Sequence, residues 1–368
     1  MHRRDVMKLF GTGAISAAMV SSAGLRAATD SISAEYERAT VIDGNLVADM
    51  LNDDANVDAT TAARIRACGL TVMKQSLGGA GDDYGDTVAD IDHLDMAIAK
   101  NADLFMPVVE IRDISEAKKA GRLEVIYSFE SANMHEGRID KIAEFRRRGV
   151  RIMGLSYNPG SPFGSGTMSQ TNIGLTALGR DAVAEMNRLG VSVDLSHSDE
   201  ATSFQAIAAS RRPVIITHAG CAAVHRHQRN KSDALLQAVA EKGGVVGIYD
   251  LSYLGDYPAN PSLDTYMQHL LHALNVCGEE HVGIGSDTNL LAPDTSSAGI
   301  AAWNRAEETR KAEGVAAPEE GPLPYVRGLE SETRWRVIAA ELSRRGYSQR
   351  VAEKVLGSNF KRAFAETW

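Results

Sequence analysis

The chain has 368 residues, 44% of them hydrophobic, 24% charged and 6% aromatic, with 33 Gly and 10 Pro, a globular composition that excludes disorder and fibrous repeats. Its length suits one large barrel or two smaller domains. A net charge of -9 argues against a nucleic-acid partner, since phosphate contacts need clustered Lys and Arg, and three widely spaced cysteines (Cys68, Cys221, Cys277) without a CxxC pair write neither a disulfide framework nor a cysteine zinc site.

In chain order, His2-Arg3-Arg4-Asp5 precedes a weakly apolar stretch rich in Gly, Ala and Ser that ends at Arg26-Ala27-Ala28. Residues 1–28 read as a twin-arginine export signal, too rich in small residues to span a bilayer, and place the mature chain in the periplasm or outside the cell. That route carries folded proteins, which suits a protein that loads a cofactor before export. From residue 29 onward no linker or repeat appears, so 29–368 is read as a single domain. Eight short apolar, β-branched segments follow: Thr40 to Asp43, Leu70 to Gln75, Glu124 to Phe129, Val150 to Leu155, Val191 to Leu195, Pro213 to Thr217, Val245 to Tyr249 and His281 to Ile284. Between them, Ile139 to Arg148, Leu178 to Leu189, Asp199 to Ala209 and Asp233 to Lys242 repeat apolar residues at helical steps. That alternation predicts a parallel sheet closed into a (β/α)8 TIM-type barrel, with a doubly wound sheet as the alternative. Leu104 to Ile111 falls outside the count of eight and reads as an insertion or a short additional strand.

A barrel of this kind builds its site at the C-terminal ends of its strands. Glu130, Tyr157, His197, His218 and Asp287 stand at such ends. One carboxylate and two imidazoles, Glu130, His197 and His218, are the ligand set of a catalytic zinc that keeps a fourth position open. Zinc lowers the pKa of its water to about 7 and polarises a carbonyl; Asp287 would manage protons. Each residue alone has an ordinary alternative: a hydrogen-bonded histidine, a helix cap for Glu130, an Asx-turn for Asp287. The residues alone lead to a zinc barrel hydrolase.

Val191-Ser-Val-Asp-Leu-Ser-His197, Pro213-Val-Ile-Ile-Thr-His218, His227-Gln-Arg229-Asn230 and His281-Val-Gly-Ile-Gly-Ser-Asp287 resemble, in order and spacing, the renal or membrane dipeptidase family of metallopeptidases. Gly174 to Gly190, Gly328-Leu-Glu and Asn359 to Arg362 extend the resemblance over nearly the whole chain after the signal. The resemblance implies an amidohydrolase-type barrel with zinc that acts on dipeptides or similar small amides. It implies that Glu130 bridges two zinc ions, that His197 and His218 bind the second of them, that Arg229 holds the substrate carboxylate and that Asp287 handles protons.

Two departures narrow that picture. Where the family carries a His-x-Asp pair after Asp-Gly, this chain reads Asp43-Gly44-Asn45-Leu46-Val47, and both ligands of the first zinc are missing, with Asp49 or Asp53 as conceivable substitutes. Tyr157 replaces a family histidine that contacts substrate and oxyanion, and a phenol cannot carry an imidazole's charge. The expectation is one zinc on Glu130, His197 and His218, with Asp287 as base or acid and a dipeptide or N-acyl amino acid as substrate. Gly160 to Gly166 reads as a flexible loop over the barrel mouth. A homodimer is compatible with this reading. The alternatives are an amidohydrolase or lyase with another substrate and a binding protein that kept the barrel without catalysis.

Overall fold

The computed structural model describes residues 36–52, 56–79, 81, 83–320 and 326–368. The proposed signal, 1–28, lies outside them, as does Asp53. In chain order the described elements are β1 (Ile42–Val47), α1 (Ala59–Cys68), β2 (Val72–Ser76), α2 (Tyr84–Lys100), β3 (Phe105–Pro107), α3 (Asp113–Ala120), β4 (Leu123–Phe129), α4 (Asp140–Arg147) and β5 (Ile152–Gly154). They continue as α5 (Ala177–Leu189), β6 (Ser192–Asp194), α6 (Glu200–Ala209), β7 (Val214–Ala219), α7 (Asp233–Glu241), β8 (Val245–Ile248), α8 (Leu263–Cys277), β9 (Val282–Ile284) and β10 (Thr288–Asn289). Four further helices follow: α9 (Ser297–Ala312), α10 (Arg334–Arg344), α11 (Gln349–Glu353) and α12 (Asn359–Thr367). Local chemistry sets the boundaries. The Thr176, Asp199 and Ser232 side chains accept backbone N–H bonds that start α5, α6 and α7, and Gly190, at φ 65°, ends α5 directly before β6.

All eight predicted strands form, and they pair in parallel in the order β1, β2, β4, β5, β6, β7, β8, β9. Asp43 of β1 then pairs with Ile284 of β9 and closes the barrel, which excludes a doubly wound sheet. The segment that fell outside the count supplies β3. It lies along the start of β4, from Phe105 beside Leu123 to Pro107 beside Val125, whereas β5 takes the same edge further on at Ser128 and Phe129. Among the described residues no helix is long and apolar enough to cross a membrane.

Strand parity divides the interior. A large apolar core fills the space between strands and surrounding helices. A smaller one fills the lower barrel, where Ile42, Val72, Ile126, Ile152, Ile215 and Val245 meet Phe360 and Phe364 of α12. Helix α12 thus plugs the N-terminal mouth, and Gly44 and Gly283 leave room for the Phe360 ring. With that end sealed by hydrocarbon, inward-facing polar groups gather at the other end. Two register shifts sharpen this, one in β1 between Asp43 and Leu46 and one in β7 between Ile216 and Ala219. Each inserts a residue on one strand only, re-aiming the side chains beyond it.

Candidate metal centre

Glu130 follows β4, His197 follows β6 and His218 lies on the irregular end of β7, so three strands deliver them to one point. One ligand atom from each lies within 4.8 Å of the others. His197 Nε2 is 3.1 Å from His218 Nε2 and 3.2 Å from Glu130 Oε2. Ligands held about 2.0–2.1 Å from a tetrahedral ion lie roughly 3.3 Å apart, so these separations fit one zinc.

The hydrogen bonds behind the rings decide which nitrogens face inward. His197 Nδ1 is 2.8 Å from Asn158 Oδ1, an amide oxygen that can only accept, so Nδ1 carries the proton. Asn158 is itself fixed by donating from its Nδ2 to the Val315 carbonyl. The Thr217 hydroxyl donates to Asp194 Oδ2 at 2.6 Å and therefore accepts from His218 Nδ1, at 2.9 Å. Asp194 also accepts from the Thr217 and Ser196 backbone N–H groups, which holds the turn after β6 against β7. Both Nε2 atoms are then unprotonated and turn lone pairs toward each other, an arrangement that a cation between them satisfies. Burial, reinforced by the Arg229 charge, pushes His197 down to about 3, and burial likewise holds His218 well below its ordinary value. Both imidazoles are neutral, as metal ligands must be.

Glu130 is held from its other side. Its Oε1 accepts from Asn45 Nδ2 at 2.8 Å and from Lys74 Nζ at 3.3 Å, and Lys74 Nζ donates to Asn45 Oδ1 at 2.8 Å. Asn45 Nδ2 also donates to Asp287 Oδ1 at 2.6 Å. Burial alone would raise Glu130, but the Lys74 ammonium brings it well below the usual carboxylate range. Asp287 shifts the opposite way, raised by burial and then by the Glu130 charge. Its Oδ2 lies 3.8 Å from His218 Nε2, and its backbone sits in the left-handed region at φ 58°. Asp43 fixes both neighbours: its carboxylate accepts from the Asn45 N–H, the Ser286 N–H and hydroxyl, and the Trp335 indole. The β1 bulge and the β9–β10 turn are therefore pinned to one buried group.

A cavity of about 360 Å³ opens onto this cluster, lined by Glu130, Tyr157, His197, Arg229 and Asp287, with Arg310, Glu320 and Arg334 on the wall supplied after β10. Arg229 is 3% exposed; its Nη1 reaches Asn158 Oδ1 at 3.4 Å, while Nε and Nη2 have no partner. Two buried N–H donors side by side on a guanidinium match the two oxygens of a carboxylate. Burial opposes the Arg229 charge, and Asp287 raises its pKa. Tyr157 stacks on His197, with ring centroids 4.2 Å apart. Burial, with the Glu130 charge, pushes its phenol up to about 12 even though it is hydrogen-bonded with Arg310, so it stays protonated.

All the residues singled out in the sequence, Glu130, Tyr157, His197, His218, Arg229 and Asp287, converge here. Sequence reasoning missed Lys74, Asn158, Asp194 and Thr217. Lys74 had a signal, because a lysine two residues after the inward-facing Val72 of a buried strand points into the barrel. Asp49 lies on the cavity wall but accepts from Asn289 Nδ2 at 2.5 Å and does not join the ligand group. The expectation of a flexible loop at Gly160 to Gly166 is corrected. Phe163 and Ser165 are buried, Ser161 bridges Gly164, Gly166 bridges Ser198, and the segment does not line the cavity. Its glycines serve close packing: a Cβ on Gly166 would stand 1.9 Å from the Tyr157 carbonyl. Cys68, Cys221 and Cys277 are buried free thiols, and none joins this ligand group.

Comparison with known proteins bears on the family and the fold. The model of a family described as membrane dipeptidase (peptidase family M19) matches residues 35–297. An uncharacterized dipeptidase of Schizosaccharomyces pombe is 31% identical over 212 residues, 55% of this chain and 50% of that protein. The dipeptidase tcpJ of Claviceps purpurea is 26% identical over 284 residues, 76% of this chain and 60% of that protein. The match thus spans 50% to 60% of the length of these relatives. The crystal structure of an amidohydrolase from Pseudomonas aeruginosa superposes with a TM-score of 0.80 at 28% identity, covering 92% of this chain and 99% of the other.

Proposed function

Because the chain belongs to the membrane dipeptidase family, peptidase family M19, we propose that it hydrolyses dipeptides or closely related carboxylate-bearing amides, such as N-acyl amino acids, using one zinc ion held by Glu130, His197 and His218. The observation that carries this reading is the pair of unprotonated Nε2 atoms facing each other 3.1 Å apart beside a carboxylate oxygen. When bound, zinc supplies a nucleophilic water ionised near neutral pH and Lewis acidity toward a carbonyl.

The remaining work falls to the chain's own groups. Arg229 grips the substrate carboxylate through Nε and Nη2, which sets the scissile amide at a fixed reach from the cluster. A cavity of about 360 Å³ suits a small molecule and leaves no room for a long peptide. The Tyr157 hydroxyl, still protonated, donates a hydrogen bond toward an oxygen that gains charge. Asp287 holds and moves protons between the attacking water and the leaving amine. Asn158 and Thr217 keep the imidazoles turned toward the metal. We further infer that residues 1–28 direct export by the twin-arginine route, so that the enzyme works in the periplasm or outside the cell.

Release of amino acids from L-L and L-D dipeptides and N-acyl amino acids, with and without a chelator, tests the reading. Zinc-dependent turnover of at least one dipeptide is expected. Turnover confined to other amides would shift the substrate class, and zinc binding without any turnover would favour a binding protein on the same barrel.

A further inference from the structure

Beyond the ligand set, the site contains a cation of its own. Lys74, on the inward face of β2, has a fully buried side chain. A buried ammonium persists only with charge and hydrogen-bond partners, and its named ones are Glu130 Oε1 at 3.3 Å and Asn45 Oδ1 at 2.8 Å. Asn45 turns its oxygen to Lys74 and its NH2 group to both carboxylates, Glu130 Oε1 at 2.8 Å and Asp287 Oδ1 at 2.6 Å.

The two oxygens of Glu130 therefore have different neighbours. Oε2 faces His197 Nε2 and the proposed zinc position; Oε1 is enclosed by N–H donors. A second divalent ion on that side would need lone pairs from Glu130 Oε1 and Asp287 Oδ1, and the Asn45 hydrogens and the Lys74 ammonium already occupy both. A dication there would also stand against the ammonium in a poorly screened interior. We propose that Lys74, oriented by Asn45, is a built-in monovalent substitute for a second metal ion: it neutralises the Glu130 and Asp287 pair and limits the centre to one divalent ion. Lys74 is thus a positioning residue, acting through Glu130 and Asp287. The inference rests on the metal-dependent reading given above.

Metal content separates the two. Purified protein is stripped with chelator, titrated with zinc by calorimetry and analysed for zinc per chain by mass spectrometry. The wild type is expected to bind one zinc, and Lys74→Arg, which keeps the cation, is expected to do the same. Lys74→Met, which leaves Glu130 Oε1 without its ammonium partner, is expected to show a second binding event at least tenfold weaker than the first. Two zinc ions in the wild type, or a Lys74→Met isotherm identical to that of wild type, overturn the role of Lys74 and leave the hydrolase reading standing. No zinc in the wild type overturns the metal-dependent reading itself. Lys74→Gln, which also removes the charge, is titrated alongside with the same expected second event, so that one variant's failure to fold leaves the other to decide.

Discussion

The Thr217 hydroxyl donates to Asp194 and accepts from His218 Nδ1, so replacing it with a methyl group removes the acceptor that keeps Nε2 unprotonated. Thr217→Val preserves shape and is expected to weaken zinc binding about 10- to 100-fold, the usual effect of losing a partner behind a ligand. Competition with a chromophoric chelator measures it; unchanged affinity would show that the tautomer of His218 is set elsewhere. Arg229 makes a different prediction, because it acts on substrate and not on metal. Arg229→Lys keeps the charge but loses the fork, and its two unpartnered donors become one compact ammonium. Losing a hydrogen bond to a charged group costs roughly 1.5–3 kcal/mol, so KM for a dipeptide should rise about tenfold or more. Steady-state kinetics check it, with kcat expected to change far less and zinc content to remain as in wild type. A rise in KM of less than twofold would remove Arg229 from substrate binding.

At the scale of elements, the site depends on how closely β7, β8 and β9 approach. A Cβ on Gly285, just past β9, would lie 1.8 Å from the Thr217 carbonyl oxygen, and backbone cannot swing aside as a side chain can. Gly285→Ala must push β9 from β7 and carry the adjoining turn with it, including Ser286, which Asp43 holds, and Asp287. Overpacking of this kind costs about 1–3 kcal/mol, and a fall in thermal midpoint together with loss of activity is the expected result. An active protein of unchanged midpoint would mean that the strands separate freely. The same closeness explains what could be read from the sequence. The eight strands were legible because each is a short β-branched run, and the ligands because strand ends in a barrel converge. Asn45 reads from the sequence only as a replacement for a metal ligand, because its contacts depend on the β1 bulge after Asp43, whose place is set by pairing with β2 and not by residue type. Asn158, Asp194 and Thr217 were illegible for a related reason: they act on another residue's ring, across strands, and only the fold brings them there. Gly160 to Gly166 misled because glycine serves tight packing as readily as freedom.

The molecule as a whole carries several buried groups whose titration opposes folding, and their signs differ. His135 and His269 are buried, and desolvation pushes each down to about 4. Unfolded, they return to about 6.5, so between those values the unfolded chain binds more protons than the folded one. Their contribution is complete above pH 6.5 and is lost as pH falls toward 4. Asp43, Asp250 and Asp287, raised chiefly by burial, act in the opposite direction, because the folded state keeps protons that the unfolded chain releases. The total pH profile therefore mixes both, and only a difference between two proteins isolates one group. His135 offers that difference. Its ring lies among Phe129, Phe145 and Phe163, with centroids 5.5 to 5.9 Å away; Nδ1 faces the Ala132 carbonyl and Nε2 has no partner. A phenyl ring fits such surroundings and cannot titrate. His135→Phe should match the metal-free wild type within about 1 kcal/mol above pH 7. It should gain relative to wild type as pH falls from 6.5 to 4, by up to roughly 3 kcal/mol at the acid end. Denaturant titrations of both proteins across that range measure the gain, and parallel stability curves would show that His135 takes up its proton in the folded state as easily as in the unfolded one.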